Sequence, residues 1–265
     1  MKLLYRYVLA GALAFTALQS QAQTVTLDYY FNHETRKNSQ GQPERFHYIW
    51  EEKDHNGFSV LGDIFRSQGF DLKSLDAAPT AANLKGTSVY IIVDPDSKKE
   101  NPNPNYILPN DIKAISQWVK QGGVLVMFAN DSANVEFPHY NQLAAEFGMH
   151  FNDDIQNHVI DDKHFEDGGV IIKDNPVFKT SKKIYMKDAC SIATTGAAKP
   201  VLKNTAGATL IASAKHGKGT VIAIADPWLY DEYTNGRLPA NLGFENDKAA
   251  ADLVSWIKSM VPKSK

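Results

Sequence analysis

The chain has 265 residues, 43% of them hydrophobic and 22% charged, and a formal net charge of −2 at pH 7. That length and composition suit one α/β domain with a substantial core. The near-neutral balance gives no attraction for phosphate backbones, so nucleic acid is excluded as an expected partner.

Residues 1–22 read as a signal peptide ahead of a single domain spanning 23–265. Lys2 and Arg6 make the positive start, and Val8 to Leu18 is an apolar run too short to cross a bilayer. Ser20 and Ala22 are the small residues of a cleavage site. The expected location is periplasmic or secreted, without membrane contact after cleavage. Cys190 is the single cysteine, which excludes an internal disulfide or a thiolate metal cluster and reads as a buried structural thiol.

Thr24 to Phe31 alternates and is rich in β-branched and aromatic residues, which predicts a strand. Asn32 to Arg45 is polar and reads as a long loop. Gly57 to Gly69 carries Phe58, Leu61, Ile64 and Phe65 at helical spacing and stops on a glycine. Val89 to Val93 is a continuous apolar run, as in a parallel strand buried on both faces. A proline-rich loop leads to a helix over Asn110 to Gln121, and Val124 to Phe128 is the next buried strand. A helix is expected around Tyr140 to Phe147, whereas Phe151 to Lys187 has no clear period. Ala208 to Ala214 and Thr220 to Ala225 read as a hairpin closed by His216-Gly217-Lys218-Gly219. A last helix over Asn246 to Met260 places Ala249, Leu253, Trp256 and Met260 inward. The alternation of strand and helix predicts a parallel sheet with helices on both faces.

In such sheets, ligands bind beyond the carboxyl ends of the strands. Polar residues gather after three predicted strands: Asp94 and Asp96; Asn130, Asp131, Asn134 and Glu136; and Asp226, Trp228, Tyr230 and Glu232. Amides and carboxylates hold hydroxyls, and aromatic faces cover a sugar ring. Asp94, Asp96, Asn130, Asn134, Trp228, Tyr230, Glu232 and Arg237 are therefore the candidate ligand-binding residues. Arg237 suits a uronate carboxylate because a guanidinium binds it with two parallel hydrogen bonds. Asp131 with Asp226, or Asp131 with Glu136, are the candidate acid and base pairs. Each of these has a structural alternative, since Asp and Asn after a strand also cap helices and turns, and Trp228 and Tyr230 also suit a core. No metal or other cofactor is expected: the histidines are scattered, with no paired ligand motif. An acidic, histidine-containing stretch from Asp153 to His164 reads as a solvated loop, with a divalent ion as the alternative. There is no nucleophile elbow and no phosphate loop.

Several stretches resemble a known family. They are YYFNHETRK (Tyr29 to Lys37), HYIWEEKDHNGFSVLGDIF (His47 to Phe65), YIIVDPDSKKENPNPNYI (Tyr90 to Ile107), GGVLVMFANDSANVEF (Gly122 to Phe137), NQLAAEFGMHFNDD (Asn141 to Asp154) and GKGTVIAIADPWLYDEYTNGRLP (Gly217 to Pro239). Together they resemble the accessory domain attached to bacterial unsaturated rhamnogalacturonyl hydrolases, here without the helical-barrel catalytic domain. The resemblance implies a flavodoxin-like, class I glutamine amidotransferase-like fold, with the nucleophile position near Asn130 or Asp131. The amidotransferase cysteine and its His-x-Glu partner are missing, so glutaminase activity is not expected. The implied context is breakdown of pectin and rhamnogalacturonan. Three readings follow: a hydrolase acting on unsaturated or uronate-containing oligosaccharides, a non-catalytic module that binds them, or a docking partner of a separate rhamnogalacturonyl hydrolase.

Overall fold

A computed structural model describes residues 23–234, 236 and 238–262. The signal-peptide expectation for residues 1–22 and the candidate Arg237 lie outside the described residues. The central sheet has seven strands. In chain order they are β1 (Gln23–Asp28), β2 (Phe70–Leu75), β3 (Val89–Val93), β4 (Val124–Phe128), β5 (Lys199–Lys203), β6 (Thr209–His216) and β7 (Gly219–Ile224). Their order across the sheet is β5-β6-β7-β4-β3-β1-β2. The run from β7 to β2 is parallel, and β6 and β5 extend it antiparallel at one edge.

The sequence pattern explains the middle of this sheet. Every residue of β3, β4 and β7 is buried, so both faces are covered and no polar alternation is needed. Register follows from these runs, with Ile91 opposite Val126 and Val126 opposite Ile222. β2 was not expected from the sequence. Its FDLKSL pattern mixes buried and exposed positions because it has a neighbour on one side only.

The longer helices are α1 (Ser59–Ser67), α2 (Pro109–Lys120), α3 (Phe137–Ala145) and α5 (Asn246–Met260), with the single turn α4 (Asp231–Thr234) before the last. α2 starts at Pro109 because proline is preset for the first helical position. The Asp111 carboxylate, three residues on from Leu108, accepts the Leu108 N–H at 2.9 Å. α1 stops before Gly69, whose φ of 88° is open to glycine at no steric cost. In α5 the buried stripe is Ala249, Ala250, Leu253, Val254 and Ile257. Trp256 and Met260, expected inward, lie at its margin and are partly buried. The segment expected as one long loop after β1 instead contains a small hairpin, Thr35–Lys37 paired with Pro43–Arg45.

The β6–β7 hairpin forms as expected, but Gly219 serves more than the turn. A Cβ there would lie 2.1 Å from the Val119 carbonyl oxygen and 2.3 Å from that of Gly123. Only a bare backbone lets β7 start under the end of α2. Gly219→Ala should therefore destabilise the protein by at least about 2 kcal/mol, read as a fall in melting temperature. An unchanged melting temperature would contradict that packing.

Candidate functional site

Three parallel strands end in a buried aspartate. Asp28 closes β1, Asp94 follows β3 and Asp226 follows β7 by two residues, and each is no more than 3% exposed. Burial raises all three carboxyls, Asp28 to about 7 and the other two well above the ordinary carboxylate range. Asp28 is satisfied: it accepts hydrogen bonds from the Tyr90 hydroxyl at 2.6 Å and from the Tyr30 and Phe31 N–H groups at 3.1 and 2.7 Å. The other two are not. Asp94 Oδ2 accepts the Tyr48 hydroxyl at 2.8 Å, and its Oδ1 has no partner. Asp226 is held by the Lys187 backbone N–H, and its Oδ2 has no partner.

Beyond these ends lies a pocket of about 260 Å³. It is lined by His47, Tyr48 and Asn56 from the segment before α1, and by Asn130, Asp131 and Asn134 after β4. Lys187 and Asp188, and Asp226, Tyr230, Glu232 and Tyr233 after β7, complete it. Four chain segments meet here, which is the convergence expected at the carboxyl ends of a parallel sheet. Larger hollows exist elsewhere. One of about 400 Å³, lined by Leu84, Thr87, Trp118 and Pro262, lies at the opposite, N-terminal ends of the strands. Another of about 410 Å³ lies beside Trp50 and Arg66 at the β2 edge. Neither gathers as many convergent polar groups.

The pocket wall is held in uncommon backbone conformations. His47, Tyr48 and Asp188 line it with φ values of 69°, 53° and 49°, and Asp94, bonded to Tyr48, has φ 34°. Non-glycine residues in this region cost energy and persist where the surroundings over-determine them. The surroundings do so here. The His47 N–H donates to Glu52 Oε2 at 3.0 Å, and its Nδ1 lies 2.7 Å from Glu34 Oε1. Its ring stacks on Tyr48 with centroids 3.8 Å apart. The Tyr48 and Tyr230 hydroxyls are 2.8 Å apart, and since Tyr48 gives its proton to Asp94, Tyr230 is the donor between them. Asp188 Oδ1 is bound by His158 Nδ1 at 2.7 Å and by the Val159 N–H at 3.2 Å.

Of the residues singled out in the sequence, the fold brings Asn130, Asp131, Asn134, Asp226, Tyr230 and Glu232 into this one pocket. Asp131 Oδ1 accepts from the Ala133 N–H and from Asn134 Nδ2, both at 2.9 Å, which ties the loop together. The others are elsewhere. Asp94 supports the wall from behind. Asp96 accepts the His33 N–H at 3.0 Å and Asn101 Nδ2 at 2.7 Å, and so organises the loop after β3. Glu136 caps α3: one carboxylate oxygen accepts the His139 N–H at 3.0 Å and the other lies 2.8 Å from His139 Nδ1. Trp228 is wholly buried with its ring edge-on to Phe178, in the core and away from the ligand space. Cys190 is buried too. Among the described residues, no group of three or more His, Cys, Asp or Glu side chains is placed to hold a metal ion.

Sequence reasoning did not select Tyr48, Asn56, Lys187 or Asp188. The first two come from a segment without periodicity, between the small hairpin and α1. Lys187 and Asp188 follow the short strand Lys183–Tyr185, which pairs only with Gly169–Ile171. Nothing in local composition marks them.

The fold and pocket define an α/β protein with a mostly parallel sheet and a small polar cavity at its strand ends. The chain belongs to the family described as Domain of unknown function (DUF4350), whose model matches residues 51–238. No curated protein matches the chain. Among solved structures it is similar to the mmIFT52 N-terminal domain, with a TM-score of 0.65 and 14% identity over 89% of this chain and 98% of that one. It is also similar to Cytoplasmic Protein STM1381 from Salmonella typhimurium LT2, with a TM-score of 0.58 and 13% identity over 91% of this chain and all (100%) of that one. Exo-beta-1,4-mannosidase Op5Man5 from Opitutaceae bacterium strain TAV5 matches with a TM-score of 0.52 and 15% identity over 92% of this chain and 37% of that one. At these identities the likeness is one of fold. The family match overturns the expected membership among the amidotransferase-like accessory domains of rhamnogalacturonyl hydrolases. The motifs behind that expectation include the buried strand residues 90–93, 124–128 and 219–224, of a kind that parallel α/β sheets share for reasons of packing.

Burial pushes the Asp94 carboxyl up and so favours its protonated form. Asp94→Asn, isosteric, uncharged and tolerant of positive φ, should change stability by less than about 1 kcal/mol, whereas Tyr48→Phe should cost about 1–3 kcal/mol by stripping a buried carboxyl of its partner. Denaturant unfolding of both variants checks this. A greater loss in Asp94→Asn than in Tyr48→Phe would mean that the carboxyl is ionised.

Proposed function

We propose that this protein is an exported binder of uronate-containing oligosaccharides, such as those released from pectin, and that one sugar unit sits in the strand-end pocket. The observation that carries the reading is the convergence of Asn130, Asp131, Asn134, Asp226 and Tyr230 on one cavity of about 260 Å³. That volume is just under the roughly 300–1,000 Å³ of sites that bury drug-sized ligands, which suits a single ring. Amide and carboxyl groups at this density match vicinal hydroxyls. The Tyr48 and Tyr230 rings, with centroids 5.4 Å apart, add aromatic lining. The parallel order β2-β1-β3-β4-β7 is the pattern of a flavodoxin-like winding, and supports that assignment of the fold.

Binding is favoured over turnover because the candidate acid Glu136 is committed to capping α3. A second reading, hydrolysis by Asp131 and Asp226, draws on their sharing the pocket and on the free Oδ2 of Asp226. Loss of the ultraviolet absorbance of an unsaturated rhamnogalacturonan disaccharide, absent in Asp131→Ala, would establish it.

Asn130→Ala should weaken calorimetric binding of a galacturonate-containing oligosaccharide about tenfold, the value of one good hydrogen bond to the ligand. Equal affinity in the variant would remove the pocket from the recognition.

A further inference from the structure

Most polar groups lining the pocket already have a partner. Asp188 is held by His158 and the Val159 N–H, and Asp131 by Ala133 and Asn134. Glu232 faces His55, with Nδ1 at 3.4 Å, and Tyr48 and Tyr230 bind each other and Asp94. Two ionisable groups stand apart. The half-buried Lys187 ammonium makes no salt bridge to a described residue, although its backbone N–H binds Asp226 and its charge acts on that carboxyl. Asp226 Oδ2 is buried without any partner, on a side chain only 2% exposed that lines the cavity. Burial pushes that carboxyl well above the ordinary carboxylate range, the direction that favours a protonated, donating form, while the Lys187 charge pulls it down. An unpartnered buried polar atom is expensive unless a ligand meets it.

We infer that Lys187 and Asp226 form the carboxylate-reading end of the pocket: a ligand carboxylate takes the Lys187 ammonium on one oxygen and the Asp226 O–H on the other. It rests on the glycan-binding reading of the same pocket and adds which part of the sugar is read and by what. The chemistry also sets the charge of the ligand. Asp131, Asp188 and Glu232 line the same cavity, so a dianion such as a sugar phosphate meets more repulsion than one ammonium offsets, whereas a monoanion is tolerated. A hydroxyl in place of the carboxylate leaves the ammonium unpaired.

The test is calorimetry on the mature protein with D-galacturonate, D-galactose and galactose 1-phosphate. Wild type should prefer galacturonate to galactose by about tenfold, the size of one charge-assisted contact, and bind the phosphate more weakly than galacturonate. Lys187→Met should bind galacturonate no better than galactose. Lys187→Gln serves as the second variant should Met perturb folding. Asp226→Asn keeps a donor and should retain most of the preference, whereas Asp226→Leu should lose it. A preference for galacturonate that survives in Lys187→Met, or a wild type that binds both sugars equally, overturns the assignment of the carboxylate reader and leaves the glycan site standing. A wild type that binds neither sugar overturns the glycan reading itself.

Discussion

A carboxyl group at the end of a central strand, shut away from water, must be neutral, paired or both. Asp94 is in that position, and its solution organises one side of the molecule. The Tyr48 hydroxyl reaches it at 2.8 Å, from a left-handed backbone conformation shared with His47. Those two residues in turn need the Glu52 and Glu34 carboxylates to hold them. The segment before α1 is thereby drawn across the strand ends, where Tyr48 meets Tyr230 from the chain after β7. The pocket is what remains between these segments. Its shape follows from satisfying a buried acid, and its chemistry from the residues that the parallel strands deliver to the same rim.

The cost of this arrangement falls in one place. Several uncommon φ values and the unpartnered oxygens of Asp94 and Asp226 gather at the carboxyl ends of the strands. β3, β4 and β7 are buried throughout, and α1, α2 and α5 pack apolar stripes against the sheet or one another. Strain and unmet hydrogen-bonding capacity at one rim are consistent with the proposed binding role, in which a ligand supplies partners that the protein lacks. The Asp226 carboxyl and the Lys187 ammonium are the two groups that have most to gain from it.

Much of the fold was legible in the sequence because its strongest signals are matters of burial. VYIIV and VLVMF are apolar without alternation, which only a doubly covered parallel strand allows, and both strands begin and end where that pattern does. Gly69 marked the end of α1 through backbone chemistry, and α2, expected from Asn110, starts one residue earlier at Pro109. Less could be read where structure depends on distant partners. β2 is an edge strand with a mixed pattern, and the segment from Phe151 to Lys187 forms short antiparallel pairs such as Gly169–Ile171 with Lys183–Tyr185. For the site, the rule that ligands sit beyond parallel strand ends located Asn130, Asp131, Asp226 and Tyr230. It could not separate Trp228, two residues from Asp226 and wholly in the core, from Tyr230, at the pocket. Nor could it reveal Lys187, placed there by a peripheral strand.

The central claim is that the strand-end pocket is where a uronate-containing sugar binds. Hydrogen–deuterium exchange of the protein with and without a galacturonate-containing oligosaccharide tests it without any substitution. The account predicts slower exchange in the segments carrying Tyr48 and Asn56, Asn130 to Asn134, Lys187 and Asp188, and Tyr230 to Tyr233, with little change elsewhere. Protection confined to the hollow around Leu84, Trp118 and Pro262, or none at saturating oligosaccharide, would contradict it.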